Sequence, residues 1–217
     1  DMAGARKVMI VGNGPVADNA AALIDAADLV IRFNGSRNFG VAGRRTDVVA
    51  LCNTGRPAAA MLADPAWRDS DAVRGASEIW SVRHPEKFAE LGVALAASHP
   101  ELDDFCDDYT QEFAAFATAK GKGYRVISPA VHEAVDAALA EHQAEAYVVP
   151  SSGMVVVAAV LSDMAHANDN VVLAGFSHVG WDGHPFAAEK RLIESYIKAG
   201  RLTRLLPVSA SSLSPGA

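Results

Sequence analysis

Short apolar runs alternate along this chain with helix-compatible stretches, and that alternation limits the fold more than any other feature. The runs are Lys7–Val11, Leu29–Phe33, Asp47–Leu51, Glu78–Val82, Tyr124–Ile127 and Asn170–Ala174. They are nearly continuous in Val, Ile and Leu, as strands covered on both faces must be, so they predict a mainly parallel sheet. Between them, Ala17–Ala26, Pro57–Leu62, Pro85–Ala97, Asp103–Lys120, Val131–His142, Gly153–Ala167 and Pro185–Ala199 read as helices. Strands and helices in this order predict an α/β fold, a single-domain α/β/α sandwich. Arg204–Leu206 reads as an edge strand. With 217 residues, half of them hydrophobic, one core can form. The domain is expected over residues 1–206, followed by a Ser-rich tail, 207–217, expected to be disordered.

Charge excludes some partners. Lys and Arg number 19 against 26 Asp and Glu, a net charge of −7, which gives no basic footprint for nucleic acid or an anionic membrane. No run approaches the roughly 20 apolar residues of a membrane span, so no transmembrane segment is expected. The start lacks a signal-peptide pattern and Asp1 precedes Met2, so the natural chain is expected to begin at Met2 and to be cytoplasmic. Cys52 and Cys106 show no metal or disulfide spacing and read as ordinary buried thiols.

In open α/β sheets ligands bind beyond the carboxyl ends of the strands. Four such ends carry small polar residues: Gly12-Asn13-Gly14, Asn34, Pro150-Ser151-Ser152-Gly153 and Gly175-Phe176-Ser177-His178. Gly12 and Gly14 permit close backbone approach, the following helix is expected to aim its N–H groups at the loop, and Asn13 adds a two-way hydrogen-bonder; together they suit a nucleotide or phosphate. The same run, Gly12 to Ala17, fits G-x-G-x-x-A. Its usual acidic partner is replaced by Arg32, which leaves an NADP-dependent oxidoreductase open.

Ser151, Ser152 and Gly153 put two hydroxyls and a glycine at the positive end of an apolar helix, which suits an anion or ribose, or is a plain N-cap. His178 and His184 share one glycine-bearing loop. Glu189, on the next helix, is placed to hold one imidazole nitrogen and raise the basicity of the other, as an oriented general base requires. Two surface histidines and a capping glutamate are the plain alternative. Asp69-Ser70-Asp71 matches a D-x-D metal pattern but reads as a solvated turn, and the aromatics Phe105, Tyr109, Phe113 and Phe116 read as core. No metal site is expected.

Taken together these motifs resemble glycosyltransferase family 29, the eukaryotic-type sialyltransferases. Val11–Gly14, Ile24-Asp25 through Asp28, Val30-Ile31-Arg32 and Asn34, then Gly43, Arg45, Thr46 and Asp47 resemble its large sialylmotif. Pro150–Gly153 with Val172–Phe176 resembles the small motif, and His184 with Glu189 the very small one; His178 stands at the third. The resemblance implies a variant of the nucleotide-sugar (GT-A-like) transferase fold and an inverting, metal-independent transfer of an acidic sugar, sialic acid or Kdo among them. The donor would be a CMP-sugar, the acceptor a glycan or other hydroxyl compound, with no prosthetic group. Asn13 and Asn34 would contact the nucleotide, Ser151, Ser152, Gly153 and Gly175 would lie beside it, His178 would face the phosphate, and His184 would be the base. The family's cysteine pair is absent, with Val8 at the first position, and Val179-Gly180 replaces the aromatics after the third-motif histidine. A nucleotide-binding accessory protein without turnover is the other open reading.

Overall fold

The structure is a computed structural model, and it describes residues 5–207. Of the tail expected over 207–217, residues 208–217 lie outside the described residues. In chain order the elements are β1 (Lys7–Val11), α1 (Ala20–Asp25), β2 (Leu29–Phe33), β3 (Val48–Leu51), α2 (Gly55–Ala63), α3 (Pro65–Arg68), α4 (Asp71–Gly75), β4 (Glu78–Ser81), α5 (Pro85–Ser98), α6 (Thr110–Ala119), β5 (Gly123–Val126), α7 (Pro129–Glu141), α8 (Ser152–Ala159), β6 (Asn170–Ala174), α9 (Phe186–Lys198) and β7 (Thr203–Arg204). The strands form one sheet in the order β5-β4-β3-β2-β1-β6-β7, and every pairing is parallel.

Successive strand residues feed opposite faces, so each apolar run serves two cores. Val8 and Ile10 of β1 join Val48 and Ala50 of β3 and Trp80 of β4 beneath α7, α8 and α9. Met9 and Val11 face the other way, onto Ile24 of α1. Val49, Leu51 and Ile79 pack against Met61, Trp67, Val73 and Phe113 from α2, α3, α4 and α6. Helix α8 is buried all round, with Val155, Val156 and Val157 wholly inaccessible. It ends earlier than the apolar run suggests, because Val160–Met164 winds into a π turn.

Two sequence readings change. The segment around Asp69-Ser70-Asp71 is not an open turn: Asp64 caps α3 by accepting from Ala66 N, and Ser70 caps α4 by accepting from Val73 N. Helices of four and five residues are too short to show a 3.6-residue pattern. The aromatic stripe also divides. Phe113 and Phe116 enter the core, Trp67 meeting Phe113 edge-on at 6.0 Å, whereas Phe105 precedes α6 and stacks between Phe88 and Trp181.

His132 of α7 is buried, and its Nε2 donates to Val82 O at 2.8 Å. Burial, with Arg83 nearby, holds its pKa down at about 4, below the ordinary 6.5. The unfolded chain therefore binds the proton first as pH falls, and stability is lost from about pH 6.5 towards 4. The expected loss from His132 alone is about 2 kcal/mol at pH 5. Thermal melts at pH 7.5 and 5 check this, and His132→Gln is expected to shrink the difference by about that amount without abolishing it, because His178 is held down to about 4 as well.

Candidate functional site

Strand order reverses between β1 and β6: β2 to β5 continue on one side of β1, β6 and β7 on the other. The crevice at the carboxyl ends of these two strands is where such sheets bind ligands. Gly12 N donates to Ala174 O and Gly14 N to Gly175 O, each at 2.8 Å. A Cβ on Gly12 would lie 2.6 Å from Gly175 O, and one on Gly175, at φ +73°, 2.4 Å from Gly12 O. The glycines let these two loops touch each other, rather than freeing backbone for a ligand. Asn38 locks the contact by donating its Nδ2 to Gly12 O (2.7 Å) and Gly14 O (3.0 Å). Helix α1 begins only at Ala20, so its N–H groups do not open onto the Gly12–Gly14 turn, contrary to the sequence reading.

Asn13 has both ends of its amide engaged. Its Nδ2 donates to Phe33 O (3.1 Å) and its Oδ1 accepts from Arg37 N (2.9 Å), so it ties the β1 loop to the β2 loop. Asn34, held at φ +50°, accepts from Cys52 N at Oδ1 (2.9 Å) and from the Trp67 indole at its carbonyl (2.9 Å), which leaves its Nδ2 for the crevice. Such a backbone in a residue other than glycine is strained by about 1 kcal/mol or more, and the surroundings must impose it.

Most charged residues of the segment from Asp25 to Asp47 instead pin the 42–47 loop to α1 and β2. Asp25 Oδ1 accepts from the N–H groups of Arg44 and Arg45, and Asp47 Oδ2 accepts from Val30 N. Arg45 bonds Asp47 and Asp28 O. Arg32 is 1% exposed, its guanidinium bound to Arg45 O, Thr46 Oγ1 and Ala42 O. A side chain so enclosed cannot receive the extra phosphate of NADP. With α1 displaced as well, the oxidoreductase reading fails.

Ser151 is the N-cap of α8, its Oγ accepting from Met154 N at 3.2 Å. Ser152 and Gly153 are the first helical residues, where backbone N–H groups lack intrahelical acceptors. A Cβ on Gly153 would meet the Phe176 ring at 2.8 Å, so glycine lets that ring close the helix end. Glu189, 2% exposed, does not reach His184. Its Oε2 accepts from Ser151 N (2.8 Å) and its Oε1 from Ser151 Oγ (2.5 Å). Burial raises the Glu189 pKa, and the two Ser151 contacts oppose that shift. The sequence spacing puts Glu189 on the right helix; the chain path from Pro150 brings Ser151, not His184, to it.

His184 Nδ1 instead lies 2.7 Å from Val149 O. A carbonyl only accepts, so Nδ1 carries the hydrogen and Nε2 keeps its lone pair. Trp181 and Phe186 clamp the ring edge-on at 5.0 and 5.5 Å. Burial lowers its pKa, which keeps the imidazole neutral at pH 7. His178, at φ +52°, is oriented from β7: Arg204 Nη2 donates to its Nε2 at 2.8 Å, while Arg204 Nη1 donates to Phe176 O. An arginine cannot accept, so the neutral ring bears its hydrogen on Nδ1 and is a donor. Burial first and Arg204 second bring its pKa to about 4. The two histidines are thus set as opposites, one presenting a lone pair and the other an N–H.

These groups surround a cavity of about 440 Å3. Gly12, Asn13, Gly14, Asn34, Ser151, Ser152, Gly153, Gly175, His178 and His184 all line it, and Glu189 stands behind. Phe33 and Phe176, edge-on at 6.1 Å, form part of its wall, and Arg37 brings a cation. A second cavity of about 350 Å3 continues past Asn34, Ser152 and His184 to Arg83, Phe105 and Trp181. Sequence reasoning passes over Arg37, Arg83 and Arg204. Arg83 alone has a local signal, a charged residue directly after an apolar strand.

The profile of glycosyltransferase family 29 (sialyltransferase) matches residues 2–188. The chain belongs to glycosyltransferase family 29. A protein of Rhizobium meliloti (strain 1021), the urease operon 23 kDa accessory protein, is 53% identical over 216 residues, covering 100% of both chains. A mammalian sialyltransferase superposes with a TM-score of 0.51 at 18% identity, over 92% of this chain and 68% of that one. The sialyltransferase CstII from Campylobacter jejuni, solved with the substrate analogue cytidine-5'-monophosphate, gives 0.50 at 12% identity, over 97% and 84%. The fold is accordingly the sialyltransferase variant of the GT-A-like fold. Within this family 29 chain, Asp25, Arg32, Arg45 and Asp47 fix the 42–47 loop against α1 and β2, while Asn34 is held by Cys52 N and the Trp67 indole. No described helix is long and apolar enough to cross a membrane.

Proposed function

We propose that this protein transfers an acidic sugar from a CMP-sugar to an acceptor hydroxyl, with inversion at the anomeric carbon. The observation that carries the reading is the fixed tautomer of His184, a neutral imidazole with a free Nε2 where two cavities meet. The first cavity takes the nucleotide. Asn34 Nδ2 faces the nucleoside side, and the phosphate lies among the Ser152 and Gly153 N–H groups, the His178 Nδ1–H and Arg37. A phosphate monoester with a second pKa of about 6 is a good leaving group, and a helix N-terminus with added donors stabilises its growing charge.

The second cavity takes the acceptor. Its hydroxyl oxygen forms the new bond to the anomeric carbon as the bond from that carbon to the phosphate oxygen breaks. CMP departs with that electron pair, and the hydroxyl proton passes to His184 Nε2. Glu189 is a positioning residue in this scheme, holding Ser151 and so the first turn of α8. The family membership and the CMP-bound relative support the donor class.

The test is release of CMP from CMP-sialic acid and CMP-Kdo in EDTA, with and without a panel of sugar hydroxyl acceptors. Acceptor-dependent CMP release is expected. The name carried by the 53% identical relative favours a second reading, a nucleotide-binding accessory protein without turnover. Tight cytidine nucleotide binding with no release from either donor would select that second reading.

A further inference from the structure

Two residues beyond β4, Arg83 is held by its own backbone. Arg83 N donates to Asn53 Oδ1 and Asn53 Nδ2 donates to Arg83 O, both at 2.8 Å. Its side chain runs inward over the Phe88 ring, 5.7 Å from the centroid, and the residue is 2% exposed. Nη2 stands 3.5 Å from Ser152 Oγ, while Nε and Nη1 are buried with no hydrogen-bond partner. Its polar neighbours within bonding reach are Ser152 and the Cys52 thiol; the carboxylates of Glu189 and Asp136 act on it only through their charge, and Glu189 gives both its oxygens to Ser151. Arg32, also deeply buried, makes three hydrogen bonds, to two carbonyls and a hydroxyl, leaves only Nη1 without a partner, and lines neither cavity.

A guanidinium stays charged in a protein, and a buried charge with no hydrogen-bonded counter-charge is unfavourable. Such a group is tolerated where an anion is to arrive. Arg83 lines the second cavity beside Ser152 and His184, where the two cavities join. In CMP-linked 2-keto acid sugars the carboxylate is attached to the anomeric carbon itself. With the phosphate at the start of α8 and the attacking hydroxyl at His184, that carbon lies between Ser152 and His184.

We propose that Arg83, together with Ser152, receives the carboxylate of the reacting carbon and selects 2-keto acid sugars over neutral ones. The inference rests on the donor class proposed above and goes further, in assigning a specificity residue. The pair formed is a charge-assisted hydrogen bond in a water-poor site, of the kind that changes affinity by about 10- to 100-fold.

The test is calorimetric titration of the wild type, Arg83→Met and Arg83→Lys with CMP and with non-transferable 3-fluoro analogues of CMP-sialic acid and CMP-Kdo. The wild type is expected to bind at least one analogue more tightly than CMP. Arg83→Met should keep CMP affinity within about threefold and lose the extra affinity for the analogue, with Arg83→Lys between the two. Methionine removes a buried charge at similar length and is expected to leave the thermal midpoint unchanged or raised. If Arg83→Met does not fold, Arg83→Lys carries the same comparison. The inference is overturned if the variants keep the wild-type preference, if they lose CMP and analogue affinity in parallel, or if the wild type binds neither analogue more tightly than CMP. Absence of CMP binding in the wild type would instead overturn the donor class, and this inference with it.

Discussion

Gly175→Ala is expected to lower stability by about 3 kcal/mol and to abolish nucleotide binding. Two separate penalties meet there. The backbone lies at φ +73°, which disfavours any side chain by about 1–2 kcal/mol, and the new Cβ would fall 2.4 Å from the Gly12 carbonyl oxygen. The obstacle is backbone, so the β1 and β6 loops must part, at a further 1–3 kcal/mol typical of overpacking. Parting them breaks the Gly14 N to Gly175 O bond and moves the floor of the first cavity. Gly200 isolates the first penalty, since it has φ +74° and a methyl group added there would meet nothing within 4 Å. Gly200→Ala should therefore lose only about 1 kcal/mol. Urea unfolding of the two variants side by side checks the difference, and equal losses would contradict the close approach of the loops.

His184→Ala is expected to reduce sugar transfer by about 10²–10⁴-fold, the usual worth of a positioned general base, while CMP affinity stays within about threefold. The comparison with Glu189→Gln is the informative one. Were Glu189 orienting the His184 ring, its loss would lower kcat much as His184→Ala does. The structure gives that task to Val149 O, so Glu189→Gln should instead destabilise the protein by about 1–3 kcal/mol through Ser151, with donor KM changed more than kcat. Stopped assays of CMP release for the three proteins, paired with thermal melts, separate the two accounts.

The strand ends are legible because a parallel strand buried on both faces has a plain signature, and the polar residue that ends it is conspicuous. Asn34 and Gly175 stand out for that reason, whereas Pro150–Gly153, read as a strand end, follows an irregular stretch after α7 and is marked only by the apolar helix it opens; ten of the site residues read from the sequence share one cavity. What the sequence hides are partners brought together from distant segments. Gly12 and Gly14 suggest room for a ligand, but the close neighbour is the Gly175 peptide, more than 160 residues away, as the β1 to β6 pairing dictates. Glu189 has only its own helix as local context, whereas its acceptor atoms meet Ser151, 38 residues earlier. Arg204 shows in the sequence only as part of an edge strand, and nothing local links it to His178. Helix α1 shows the limit of composition: alanine permits a helix from position 17, and the chain begins one at Ala20.

Every role given to Asn34, His178 and the α8 N-terminus depends on cytidine selectivity in the first cavity. Calorimetric titration of the purified protein in EDTA with CMP, using uridine and adenosine monophosphates and NADPH as comparators, decides it. Selective binding of CMP, lost in Gly175→Ala and kept in His184→Ala, is the predicted result. Equal binding of the three monophosphates, or preference for NADPH, would contradict the assignment of Asn34, His178 and the α8 N-terminus to a cytidine nucleotide.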